Sequence, residues 1–475
     1  MRAFHVVIGI VTATCLMQAA FAQVPVVGGG GASLSSIAGS DTLVTVVLKG
    51  AGVEDPNLKV VSVEGGILSV ATSNGITTSY RLQDVQEVRV QGEVIPVQDL
   101  ALLADRGLNS DQQKIVDAAL ARASKIYNES AGDQNLKMWA AEVLAAGGPD
   151  EKAEKARTGE LVSKQAAAKY LTDLAGGNDI RTALRAAMHL YNAGLTESLP
   201  ALVQQGMTSG DRMVKATSAQ LAGLIREESV RGELRRMVQD RAANISAPAA
   251  LALARMGDRD IIPTLIAMLG DLNEEKSGAA VYALTMLGGQ DLIDQLRLKL
   301  GDAEGPTRFR IAKVLTGLGD PKGMAVLRDE SMAIPSSQVE AAILLAKKND
   351  VKSLQFLREW LMQAYPLNTE ATSDQAARLK MQRDVQRARA AAALIQAGDR
   401  TNAGVFQELL RAAPGQVQIE VLQLLAALDV HALLPMTQPL ITGEDANLAI
   451  VACKAAVAMA SNTYRDQLRL ASLDY

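Results

Sequence analysis

The chain has 475 residues, of which 48% are hydrophobic, 3% aromatic and 21% charged, with a formal net charge of -4. It is long enough to bury a substantial core, and its near-balanced charge gives no global reason to bind nucleic acid. With so few aromatics, the apolar work falls to Ala and Leu, which favours closely stacked helices over a β-sandwich or an aromatic-lined cavity.

Residues 1–22 have the layout of a cleavable signal peptide. Arg2 supplies the positive start, and the apolar stretch from Val6 to Met17 is shorter than the roughly 20 residues of a membrane span. Ala20-Phe21-Ala22 offers a small-x-small site, so cleavage is expected after Ala22 and the mature protein is expected to be periplasmic or secreted. Cys15 follows Thr12-Ala13-Thr14, a poor context for a lipid anchor, and no later segment is long and apolar enough to span. Without the signal only Cys453 remains, so no intramolecular disulfide forms. Its Ala-rich setting, AIVACKAAVAMA, is that of a small buried hydrophobe.

Residues 23–41 are a Gly- and Ser-rich leader, and residues 42–97 change to a β pattern. Leu43 to Leu48 is a β-branched run, and Leu58 to Val63 follows a loop containing Pro56. Asn74-Gly75 stands between two Thr- and Val-rich runs as a hairpin signal, and Val85 to Val90 alternates. Five short strands are predicted, in a small barrel or curled sheet. From residue 98 the chain is helical: Asp111 to Tyr127, Gln134 to Ala146 and Gly159 to Ala175 carry helix-like composition, broken by Gly- and Asn-rich punctuation. Residues 98–178 are a lead-in without a strict period.

A period appears next. Gly257-Asp258, Gly288-Gly289 and Gly319-Asp320 are spaced by 31 residues, and the helical face Ala249, Ala252, Leu253, Met256 recurs as Ala280, Ala283, Leu284, Leu287 and as Ile311, Val314, Leu315, Leu318. The second helix keeps step through Ile262 and Leu265, Ile293 and Leu296, Met324 and Leu327. Weaker turns at 193–194, 226–227, 349–350, 398–399, 428–429 and 461–462 extend the series. About nine helical hairpins are therefore predicted over 179–475, each burying its apolar face against its neighbours in a right-handed or gently curved α-solenoid. The polar residues in the last segment, SNTYRDQLRLASLDY, suggest a terminal cap, and the protein is expected to act as a monomer.

The phrase ALALARMGDRDIIPTLIAMLGD resembles the short HEAT-like repeat also found in bilin lyases, through Ala250, Leu253, Gly257, Asp258, Ile262, Pro263, Leu265 and Asp271. The resemblance implies a protein-binding scaffold. Lyase activity belongs to particular members, and the repeat motif does not carry it.

Residues that would carry chemistry are sparse. His189 and His431 are the two histidines beyond the signal, far apart in sequence, so neither a metal set nor a Cys-His pair is expected. There is no Gly-x-Ser-x-Gly elbow and no phosphate loop; Gly28 to Gly31 is linker. No catalytic residue, cofactor or metal is predicted, though an enzyme using carboxylates stays formally open.

Two features point to binding. The position after the second-helix Leu carries Arg235, Ile266, Arg297, Arg328 and, with one residue fewer, Arg358. This column is either a basic stripe for an acidic partner or anionic polymer, or a ladder pairing with turn acids such as Asp240, Asp271 and Asp302. The second feature is an insertion around 363–386, since Asp350 and Asp399 stand 49 residues apart where 31 would suffice. Its helix carries Arg378, Lys380, Arg383, Arg387 and Arg389 against Asp384, and is either a solvated face or a projecting contact. Trp360 and Tyr365 are the natural anchors beside it. The function expected is a non-catalytic scaffold or adaptor of the bacterial envelope with unknown protein partners.

Overall fold

A computed structural model describes residues 43–48, 54–64, 67–72, 77–81, 85–90, 93–95, 108, 110–149, 161–363 and 373–468, with interruptions at 334, 429, 462–463 and 466–467. The signal, the leader, the Asn74-Gly75 turn and Tyr365 lie outside the described residues.

The β region forms β1 (Leu43–Leu48), β2 (Glu54–Glu64), β3 (Ile67–Ala71), β4 (Thr77–Arg81), β5 (Val85–Val90) and β6 (Glu93–Ile95). They lie in one antiparallel sheet in the order β4-β3-β2-β1-β5-β6, with β6 adding a sixth strand to the five predicted. Alternation places Val44, Val46, Leu58, Val70, Val85 and Val88 inside. β2 starts before Pro56, which the sheet tolerates because the pairing with β1 slips there, from Val44↔Leu58 to Val46↔Asp55.

Twenty α-helices follow among the described residues. They begin with α1 (Ser110–Glu129), α2 (Gln134–Gly147), α3 (Lys164–Ala175), α4 (Ile180–Asn192), α5 (Leu199–Met207), α6 (Arg212–Ile225) and α7 (Arg231–Met237). The regular repeats are α8 (Ala243–Arg255), α9 (Ile262–Met268), α10 (Glu274–Leu287), α11 (Gln290–Asp302), α12 (Gly305–Gly317) and α13 (Pro321–Ala333). Then come α14 (Pro335–Ala346), α15 (Val351–Met362), α16 (Ser373–Gln396), α17 (Gly404–Ala412), α18 (Gly415–Ala427), α19 (Gln438–Ile441) and α20 (Ala446–Ala460).

The Gly-Asp pair works as a joint. Gly257, Gly319 and Gly398 take φ of +72°, +81° and +89°, which ends the first helix in the left-handed conformation. The next N–H turns back onto that helix, Asp258 to Leu253, Asp320 to Leu315 and Asp399 to Leu394 at 2.8–2.9 Å. The same aspartates then cap the second helix, Asp320 accepting from the N–H of Lys322 and Gly323. One dipeptide therefore stops one helix and starts the next. At the equivalent position Asn349 and Arg226 accept positive φ without glycine.

Even-numbered helices from α2 to α20 pack directly on one another in sequence, whereas adjacent odd-numbered helices from α3 onward barely touch. The even helices therefore form an inner layer and the odd ones an outer layer. Small residues allow the close inner packing: a side chain at Gly223 of α6 would run into the backbone of Ala252 on α8.

The ends are where the structure departs from expectation. An open rack with a polar cap is predicted, yet α20 packs against α1 and α2 and the solenoid closes into a ring. Gln112 donates to the His431 carbonyl and Arg122 to the Gly443 carbonyl, both at 3.0 Å, across the join. Tyr464 and Arg465, read as capping residues, are 2% and 3% exposed. The cause is α20 itself. It is apolar around most of its circumference, so it needs cover on every side, and α1 and α2 supply it.

Candidate interaction surfaces

The arginine column is a ladder, with acids other than those predicted. Arg235 makes a two-pronged contact with Asp258 at 2.7 and 2.8 Å, and Arg297 meets Asp320 at 2.8 and 2.5 Å. Arg328 holds Asp350 and Arg358 holds Asp399, each at 2.5 Å. Each rung runs forward, from a second helix to the joint aspartate of the following repeat. Asp240 instead takes Arg212, at 2.7 Å, and Asp271 caps Asn273. Gln204 extends the ladder backward as a neutral rung, reaching Glu227 at 3.4 Å and Ser229 at 2.9 Å.

One rung is missing on both sides at once. Ile266 occupies the arginine position and Gly289 the aspartate position. Arg259 takes over, holding Asp291 at 2.7 Å and the Leu287 and Gly288 carbonyls at 2.9 Å. Gly289 has φ of +100°, and a side chain there would strike the Arg259 guanidinium.

Asp258 is 2% exposed. Burial alone would raise its carboxyl, but hydrogen bonds and charge from Arg235, with help from the Asp260 N–H and Arg231, hold it below its ordinary value. Its stabilisation is therefore full above the ordinary carboxylate pKa of roughly 4 and is lost as pH falls through the depressed value. Asp258→Ala is expected to cost about 2 kcal/mol at pH 7 through the lost cap and rung. Urea midpoints of the two proteins at pH 7 and pH 3 check this: the gap between them narrows in acid.

The insertion helix is braced rather than loose. The Arg383 guanidinium lies 4.8 Å from the Trp360 ring centroid and donates to the Gln363 carbonyl. Trp360 is itself 8% exposed and packs in the core. Lys380 meets Asp384 at 2.7 Å, Arg387 meets Glu408 at 2.6 and 2.9 Å, and Arg389 meets Glu420 at 3.1 Å. Arg378 is exposed, and so are Met362 and Leu379, on the two segments that Arg383 pins together.

A third cluster carries no sequence signal, because its members come from distant parts of the chain. Glu142 of α2, 1% exposed, accepts from Tyr464 Oη at 2.8 Å and Lys454 Nζ at 2.7 Å through one oxygen. Its other oxygen lies 2.5 Å from His189 Nδ1 and accepts from Asn192 Nδ2 at 3.1 Å. Burial would raise this carboxyl, but the charge of Lys454 and the hydrogen bond and charge of His189 hold it well below the usual carboxylate range. Tyr464 is pushed far up by burial and by Glu142, so it stays a neutral donor. With four donors on it, this carboxylate has no open position for a substrate. It ties α2, α4, α20 and the C-terminal segment together. Nearby Cys453 is fully buried, and burial pushes its thiol up to about 12, which leaves it unreactive.

Residues 199–276 match the family model described as HEAT repeats. Among solved structures, a crystal structure of a Kap121p mutant is similar at 12% identity with a TM-score of 0.29, over 77% of this chain and 39% of that one. The chain thus spans well under half the length of that structure. No curated protein matches it. Residues 199–276 are thus similar to HEAT repeats, and the same helical hairpins stack on either side of them.

Proposed function

We propose that the protein is a non-catalytic scaffold of the bacterial envelope, which takes a protein partner at the root of the insertion. The HEAT-like architecture supports the scaffold role, since such stacked repeats offer a long preformed surface with little ordering cost on binding. The signal-like composition of residues 1–22 supports export. No described helix is long and apolar enough to cross a membrane.

The observation that carries the location is the braced junction. Met362 and Leu379 are 83% and 45% exposed, beside exposed Arg378, on a base held by Arg383, Trp360 and Arg387. Apolar side chains with an arginine on a rigid base are the usual makings of a binding hot spot. The second-helix arginines favour the competing stripe less, because each of the four holds a carboxylate.

Affinity capture of envelope proteins on the mature chain tests this. The comparison variant combines Arg378→Glu with Leu379→Ser and leaves the bracing Arg383 and Arg387 intact. Partners held by the native chain should be lost by the variant. Equal capture by both, or no capture by either, overturns the reading.

A further inference from the structure

An open sheet meets other chains at its edges, where one side of the outer strand keeps N–H and C=O groups available for pairing. This sheet has two edges, β4 and β6, at the ends of the order β4-β3-β2-β1-β5-β6. They differ in how they are guarded. β6 has three residues, begins at Glu93 and is followed in sequence by Pro96, so it gives a further strand little to pair with.

β4 carries none of these guards. Its five residues are Thr77-Thr78-Ser79-Tyr80-Arg81, with no proline and one charge, at the end. Thr77, Thr78 and Tyr80 are of types that favour strands. The pairings of β1 with β2, β1 with β5 and β2 with β3 each slip once, whereas β4 follows β3 from Ile67↔Arg81 to Ala71↔Thr77 without a slip. No bulge therefore twists this edge away from a neighbour. Among the described residues β3 is the one element that packs extensively on β4, and no described helix does so to a comparable extent.

The sequence of β4 also matches an antiparallel copy of itself. With a two-fold axis at Ser79, Thr77 of one chain stands opposite Arg81 of the other, and Thr78 stands opposite Tyr80. No like charges meet, and a β-branched residue opposite an aromatic one is a favourable cross-strand combination. A parallel pairing in the same register sets Arg81 beside Arg81. The antiparallel pair is closed as well: it consumes both β4 edges and leaves only the short β6 edges, so it stops at two chains.

We propose that β4 is a self-association edge, which pairs with β4 of a second copy across a two-fold axis at Ser79 and joins the two sheets into one. The protein is then a dimer in place of the monomer expected from its helical end. A seam of five residues a side is small, so the dimer is weak and depends on concentration.

Sedimentation velocity of the mature chain over ~1–300 µM tests this, a range in which a small interface should pass from monomer to dimer. Position 77 reports the register. A substitution there occurs twice in the dimer and faces Arg81 both times, so Thr77→Lys should weaken association roughly 3- to 10-fold and Thr77→Glu should strengthen it by a similar factor. Ser79→Cys should give a covalent dimer with a mild oxidant, because opposite residues of an antiparallel pair lie within about 4.5–5.5 Å at Cα, inside disulfide range. Glu93→Cys on β6 should not, and the chain's own Cys453 is buried. Circular dichroism melts establish that the variants fold like the parent. A native chain that stays monomeric throughout the range overturns the proposal. So do equal dissociation constants for the Thr77→Lys and Thr77→Glu proteins, or a crosslink from Glu93→Cys with none from Ser79→Cys.

Discussion

Glu142→Ala is expected to lower stability by about 3–5 kcal/mol, the range for removing one member of a buried ionic network and orphaning the rest. The loss leaves Lys454, His189, Asn192 and the Tyr464 hydroxyl facing a cavity instead of a carboxylate. Because the cluster joins both ends of the chain, the variant should also release the ring, which small-angle scattering reads as an increased radius of gyration. The pH dependence has a definite sign. The Glu142 carboxyl is depressed in the fold, so its stabilisation is full above the ordinary glutamate pKa of roughly 4 and disappears as pH falls through the lower folded value. Glu142→Gln does not titrate and should show a flatter acid limb in urea midpoint against pH. A parent and a Gln variant with parallel acid limbs would show that the carboxylate contributes no such linkage.

Ending the chain at Gly443 should have a larger effect. α20 buries Ile450, Val451, Val457 and Met459, none more than 8% exposed. At about 1.5–3 kcal/mol for each large side chain, their removal forfeits roughly 6–12 kcal/mol, comparable with the whole stability of an ordinary domain. The cost falls on both sides of the join, since α1 and α2 lose their cover. Limited proteolysis should cut first within residues 110–147 in the shortened protein, while the repeats between 212 and 328 resist. If residues 110–147 resist equally in both proteins, closure contributes nothing to the stability of the first hairpin.

The repeats were legible because each joint needs the same two residue types for the same two tasks. A left-handed residue must end one helix and an acid must cap the next, so Gly257-Asp258 and Gly319-Asp320 stand out without any knowledge of packing. The ladder was half legible. Asp240, Asp271 and Asp302 share the period of Asp258 and Asp320, and period alone does not say toward which repeat an arginine leans. The insertion was visible as extra length, but not the stacking of Arg383 on Trp360 that braces it. Ring closure was the least legible feature, because periodicity describes neighbours and carries no information on contacts some 320 residues apart, such as Tyr464 to Glu142. One signal was present: Ala446 to Ala460 is apolar on more faces than a terminal repeat can bury alone.

Closure also sets a timetable for biosynthesis. An open array gains stability one hairpin at a time as it leaves the ribosome. Here the first hairpin must wait for its last neighbour, since the partners of Gln112 and Glu142 lie 319 and 322 residues downstream. At about 5–20 residues per second, that interval lasts roughly 15 to 60 s. Through it the apolar flanks of α1 and α2 stay uncovered, and the growing chain is most exposed to aggregation at the end that was made first.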